Sequence, residues 1–142
     1  MSEFYDIDRA NARLPELRHN LQSLQSMRGE VIELRDRIVD LNASALAGGS
    51  PGVVSRSLDV REENERLRMR MQGLVDQMEA AVMQIDDWGI QLREIETGLV
   101  DFPALVAGRP VWLCWRLTEE RIGWWHEVSD GFSGRQRIED LR

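Results

Sequence analysis

Lysine is absent from this 142-residue chain, so all eighteen residues counted as Lys or Arg are arginines. Without lysine there is no Schiff base, no P-loop lysine and no lysine general base. Every strong cation is instead a planar fork suited to bidentate carboxylate pairing. One cysteine, Cys114, forbids an internal disulfide and any four-cysteine zinc site. No apolar run approaches the ~20 residues that span a bilayer. Residues 1–20 carry no basic stretch followed by an apolar run, so no secretory signal and a cytoplasmic location are expected. Positive charge is in deficit, with a formal net charge of -7. That excludes a general affinity for nucleic-acid backbone or for an anionic membrane surface.

What is present begins with helical periodicity. Asp6 is placed to cap a helix start. Pro15 suits only a first helical turn, so a short helix is expected to end near Leu14 and a longer one to begin there. Apolar residues recur at Leu14, Leu17, Leu21, Leu24, Met27, Val31, Leu34, Ile38 and Leu41, a heptad seam with one slip at Leu24–Met27. Gly48-Gly49-Ser50-Pro51-Gly52 cannot continue a helix, and residues 42–57 are expected to form a loop. A second seam runs through Val60, Asn64, Leu67, Met71, Leu74, Met78, Ala81, Ile85 and Trp88. Gly89 is placed to cap its end. Asn64, near the helix start, is expected to be frayed and solvated. Two such helices joined by one loop should pack antiparallel in a coiled-coil-like hairpin. Ile32, Val39, Val75 and Val82 widen the apolar stripes beyond what one hairpin buries, which implies a third surface.

After Gly89 the period changes to that of strands. Residues 90–95, 98–105, 110–117 and 122–128 read as three to four short antiparallel strands, with turns at Ala107-Gly108 and Glu119-Glu120. The first turn sets Asp101 opposite Cys114. The second sets Cys114 opposite Trp125, Leu113 opposite His126 and Trp112 opposite Glu127. Alternation then gives one apolar face with Val100, Phe102, Val111, Leu113, Trp115, Trp124, His126 and Val128, directed at the helices. The other face carries Asp101, Trp112, Cys114, Arg116, Trp125 and Glu127, the candidate binding face. Gly131, Ser133, Gly134 and Arg135 form a candidate anion nest. Residues 136–142 are expected to fray. The fold class is α+β: a helical hairpin over 1–89 with its loop at 42–57, then a β module over 90–142, in one structural unit.

Several of these stretches carry a family resemblance. They are Leu14-Pro15-Glu16-Leu17, Glu96-Thr97-Gly98-Leu99-Val100-Asp101-Phe102-Pro103, Leu113-Cys114-Trp115-Arg116, Trp125-His126-Glu127, and Gly131-Phe132 with Gly134-Arg135. In them the chain resembles a bacterial family known only as domain of unknown function number 2203, over nearly its whole length. It departs at Thr118-Glu119, where the family often has Gly-Glu, and at Arg93, where the family often has lysine. The resemblance supports the two-part architecture and implies no activity, substrate or cofactor.

The residues themselves point away from catalysis. The register above puts Cys114 and His126 on opposite faces, so neither a cysteine–histidine nucleophile nor a metal site is expected. His126 reads as a packed core histidine and His19 as a solvated one. Arg116 makes Asp101 a structural ion pair. The leading expectation is an interaction or oligomerisation module, a homo-oligomer or a binder of a protein partner through the hairpin. The alternative is a small-molecule or metal-binding protein, possibly an enzyme, with its site on the Asp101–Cys114–Arg116–Glu127 face.

Overall fold

The computed structural model describes residues 4–47 and 53–141. Two long helices come first, α1 (Ile7–Ala47) and α2 (Val53–Asp87). A five-stranded antiparallel sheet follows: β1 (Gln91–Glu94), β2 (Leu99–Val106), β3 (Arg109–Trp115), β4 (Trp124–Glu127) and β5 (Gln136–Arg137), in that spatial order. The α+β class with a helical hairpin stands, but the strand count is five rather than three to four. The fifth strand lies in the segment expected to fray. It is held because Trp124 and Trp125 pair with Arg137 and Gln136, and the Ile138 amide donates to the Gly123 carbonyl at 2.9 Å. No helix among the described residues is long and apolar enough to cross a membrane.

The helix starts and stops follow local chemistry. The Asp6 carboxylate accepts from the Arg9 amide at 2.7 Å, an N-cap bond. Pro15 does not divide α1; the helix runs through it. A proline there removes one backbone bond, yet Leu14, Leu17, Leu21 and Leu24 are all buried around it. Burial of that face outweighs the local cost. The expected loop is also shorter than 42–57. Ala43, Ala45 and Ala47 are strong helix formers and prolong α1; α2 already runs from Val53. Residues 48–52 of that loop lie outside the described residues. At the far end, Gly89 has φ +77°, its amide donates to Asp86, and the Ile90 amide donates back to Ile85. This is a Schellman cap, completed by burial of Ile85 and Ile90.

The chain divides into two compact units, Met1–Gln25 with Ala80–Arg142, and Ser26–Glu79. The division crosses both helices. In the Ser26–Glu79 unit the core is Leu34, Ile38 and Leu67, flanked by Leu41, Met71 and Leu74. Asn64 is not frayed: its amide donates to the Asn42 side-chain oxygen at 2.8 Å, one asparagine answering another across the helices. Arg70 pairs with Glu30 at 2.7 Å. These cross-helix contacts make the helices antiparallel.

In the other unit the sheet buries one face through Val100, Phe102, Ala104, Val111, Leu113, Trp115 and Trp125. Tyr5 packs edge-on against Phe102, with centroids 5.1 Å apart, and its hydroxyl donates to the Trp88 carbonyl at 2.5 Å. Its amide donates to Pro103, covering the edge of β2 that β1 leaves open. The Arg18 guanidinium donates to the Leu117 and Glu119 carbonyls and sits over the Trp115 ring. Gln25 donates to the Ile95 and Glu96 carbonyls.

The β2–β3 register is the expected one, Asp101 opposite Cys114 and Phe102 opposite Leu113. The Ala107-Gly108 turn has both residues at positive φ, +52° and +77°, as a two-residue type I′ hairpin requires. The β3–β4 register is not the expected one. Trp112 faces His126, Leu113 faces Trp125 and Cys114 faces Trp124. Residues 116–123 form a longer connection than a two-residue turn. The Glu119 amide donates to Arg116, and the Glu119 carboxylate accepts from the Arg116 amide at 3.0 Å. The strand therefore re-enters one residue out of phase, which exchanges the faces of β4.

Two glycines separate backbone strain from steric overlap. At Gly89 an added Cβ meets nothing within 4 Å, so Gly89→Ala carries only the left-handed backbone cost of about 1–2 kcal/mol. At Gly98, φ +65°, an added Cβ would lie 2.6 Å from the Leu117 side chain. Gly98→Ala is expected to lose more stability than Gly89→Ala in urea unfolding. Equal losses would show that Leu117 yields freely.

Candidate functional site

Strand alternation and the actual register bring four strands to one cavity of about 370 Å³ on the sheet face opposite Phe102 and Trp115. Its lining includes Arg93 from β1, Leu99 and Asp101 from β2, Trp112 and Cys114 from β3, and His126 from β4. Val128, Asp130, Gly131 and Phe132, just beyond β4, complete the wall.

Asp101 lies at the centre, 3 % exposed. Its carboxylate accepts from Arg93 Nε at 2.9 Å and lies 3.0 Å from His126 Nε2. His126, also 3 % exposed, has its other nitrogen, Nδ1, 2.8 Å from the Glu127 carbonyl. A carbonyl only accepts, so Nδ1 carries hydrogen and the ring is fixed with Nε2 toward Asp101. A hydrogen bond across Nε2 and the carboxylate then needs a further proton between them. Cys114 is 1 % exposed. Its sulfur, a carboxylate oxygen of Asp101 and a ring nitrogen of His126 all lie within 4.8 Å of one another.

Burial, reinforced by the Asp101 carboxylate, pushes the Cys114 thiol up to about 12. A sulfur held protonated to that pH is a poor free nucleophile. His126 Nε2 is moreover engaged with Asp101, so the arrangement does not activate Cys114 as a thiolate. The same three donors suit a soft or borderline metal ion, which displaces the thiol proton on binding.

The candidate binding face expected from the sequence is thus regrouped. Asp101, Trp112 and Cys114 do meet. Arg116, Trp125 and Glu127 do not join them. Arg116 lies over Phe132 at 5.2 Å and lines a different depression with Gln22, Gln25 and Thr97. Trp125 is buried on the Leu113 side of the sheet, its register partner. Glu127 is opposite Val111 and pairs with Arg109 at 2.5 Å. The ion-pair partner of Asp101 is Arg93, not Arg116. At the expected anion nest, Phe132–Gly134 is a 3₁₀ turn. The amides of Gly134 and Arg135 donate to the Gly131 and Phe132 carbonyls, so they are spent inside the turn. Arg135 pairs with Glu119 and stacks over Trp124 and Phe132. His126 and Arg93 line the cavity and were not on the face expected from the sequence. Both register phases of β4 put an aromatic beside a charged or imidazole side chain, so only the loop geometry distinguishes them.

The stretches that gather here are those that carried the resemblance: Asp101, Cys114, His126, Gly131 and Phe132 all belong to them. A family described as an uncharacterized conserved protein, DUF2203, matches residues 3–138. The chain belongs to the DUF2203 family. No curated protein and no solved structure matches it. In this DUF2203 protein, therefore, the cavity chemistry is read from its own residues.

The raised Cys114 fixes a pH dependence. The unfolded thiol titrates near 9.0 and the folded one near 12, so the folded chain holds the proton longer. Its contribution to stability is complete below pH 9 and is lost as pH rises from 9 toward 12. Unfolding free energy should fall across that window with a slope of up to about 1.4 kcal/mol per pH unit from this one group. Cys114→Ala should flatten it; an unchanged slope in urea melts of the variant would assign the loss to other groups.

Proposed function

We propose that this protein binds a transition-metal ion through Asp101, Cys114 and His126, with a coordination position open toward the cavity. The observation that carries the reading is the orientation of His126. A metal-binding histidine typically donates its second ring N–H to a carbonyl or carboxylate, which aims the other nitrogen at the metal. Here the Glu127 carbonyl does this for Nδ1, and Nε2 points at Asp101 with Cys114 beside it. One thiolate, one imidazole and one carboxylate favour zinc. Three protein ligands with a fourth position left to water or ligand is the pattern of reactive rather than closed zinc sites. Arg93 Nε occupies one oxygen of Asp101, orienting the carboxylate as an outer partner does.

Protein prepared with added zinc should retain about one ion per chain by native mass spectrometry, and chelation should lower its melting temperature. Cys114→Ser and His126→Gln should each weaken zinc by more than the roughly 10–100-fold lost with an outer partner. Cobalt in place of zinc should give the charge-transfer absorption of a thiolate ligand, absent in Cys114→Ser. Zinc retained equally by both variants would sink the reading.

The Ser26–Glu79 unit supports a second role, self-association or docking of a protein partner along the helices. Among the described residues Leu34, Ile38 and Leu67 form its buried core, while Val39 is 59 % and Met69 is 69 % exposed. Two helices with so little buried apolar surface gain stability from a further face. Light scattering at about 100 μM should report more than one chain per particle. A monomer there, with no partner recovered from its own host, would count against this role.

A further inference from the structure

Arg93 has one nitrogen committed and two to spare. Its Nε donates to Asp101 at 2.9 Å, and the guanidinium lies over the Trp112 ring at 5.1 Å, which holds its plane. Among the described residues its terminal nitrogens make no further hydrogen bond. The side chain is 42 % exposed and lines the cavity. A guanidinium fixed by packing and one hydrogen bond is a pre-organised fork for two oxygens. Beyond it the wall is apolar: Leu99, Trp112, Val128 and Phe132. Besides Asp101, the exposed Asp130 carboxylate also lines the cavity.

We infer that the cavity takes a monocarboxylate with an apolar, ring-sized body, its carboxylate on the terminal nitrogens of Arg93 and its body against Trp112, Leu99, Val128 and Phe132. The volume, about 370 Å³, lies at the small end of ligand sites. The guanidinium, paired through Nε with Asp101, leaves one free edge for one carboxylate. A dianion would be opposed by Asp130 and by Asp101 behind it. The aromatic walls give the body apolar contact that a free inorganic anion would lack. This inference rests on the metal reading for the identity of the cavity, since the same space holds the three donors. The Arg93 contact itself needs no metal.

Benzoate is the probe, with benzyl alcohol as its neutral analogue and phenyl phosphate as its dianionic one. Binding is measured by calorimetry at pH 7, on the full chain both chelator-stripped and zinc-loaded. Benzoate should bind, benzyl alcohol should bind at least about tenfold more weakly, and Arg93→Gln should lose about tenfold or more for benzoate. Circular dichroism of Arg93→Gln checks its fold, and the comparison of the three probes on the unaltered chain stands if that variant does not fold. Equal binding of benzoate and benzyl alcohol, tighter binding of phenyl phosphate, or a folded Arg93→Gln that keeps its benzoate affinity would each overturn the inference. Benzoate binding that depends on Arg93 in a protein that takes up no zinc would support the inference and sink the metal reading. Zinc uptake with no benzoate binding would do the reverse.

Discussion

A carboxylate buried to 3 % exposure must be bonded on every side or it destabilises the fold, and Asp101 meets that condition with side chains from three other strands. Arg93 comes from β1, Cys114 from β3 and His126 from β4, while Asp101 itself stands on β2. The charge is therefore a tie across four of the five strands on the face away from Phe102. On the Phe102 face the buried side chains of the sheet are apolar. Replacing Asp101 by a residue of similar size would leave Arg93 and His126 without their partner. Breaking such a buried pair costs more than the pair contributes, so the polar cluster is bound to stay whole.

Which side chains of β4 reach Asp101 depends on a single residue in the β3–β4 connection. Glu119 makes most of the contacts that shape it. Its carboxylate accepts from the Arg116 amide and from Arg135. Its carbonyl accepts from Trp115 Nε1 and from Arg18. The Leu117 amide meanwhile donates to Thr97, and the Ile122 amide to the Asn11 side chain. These bonds come from α1, from the β1–β2 turn and from the tail. Together they fix where the chain re-enters the sheet, and so they fix His126 beside Asp101 instead of beneath it.

That dependence explains what could be read from the residues alone. The helices, the caps at Asp6 and Gly89, and the Asp101–Cys114 pairing were legible because each rests on local rules: periodicity, a cap side chain, a two-residue turn with a glycine. Pro15 misled because burial of the leucines around it overrides a local preference. The β3–β4 register was not legible because its determinants, Arg18, Asn11 and Arg135, are distant in sequence and act through carbonyls and a carboxylate. Alternation is sharp, and a slip of one residue exchanged His126 for Trp125. The error put Trp125 and Glu127 on the wrong face while leaving the fold class intact. β5 was missed for a related reason: two residues are too short for a periodic signal, and they are held by pairing with Trp124 and Trp125.

The Glu119–Arg135 pair also joins loop and cavity into one structure. Arg135 stacks between Trp124 and Phe132, with its guanidinium 4.3 Å and 4.7 Å from their ring centroids. Trp124 is the register partner of Cys114, and Phe132 is a wall of the cavity. The same arginine that stabilises the re-entry of β4 thus positions an aromatic on the cavity side. Its two stacking contacts suit a guanidinium, which is planar and weakly hydrated, better than an ammonium. In a chain without lysine, cations can be built into the interior as flat plates between aromatic rings. Arg93 over Trp112 repeats the device on the opposite wall. There one edge of the plate meets Asp101, and its terminal nitrogens are left to the cavity.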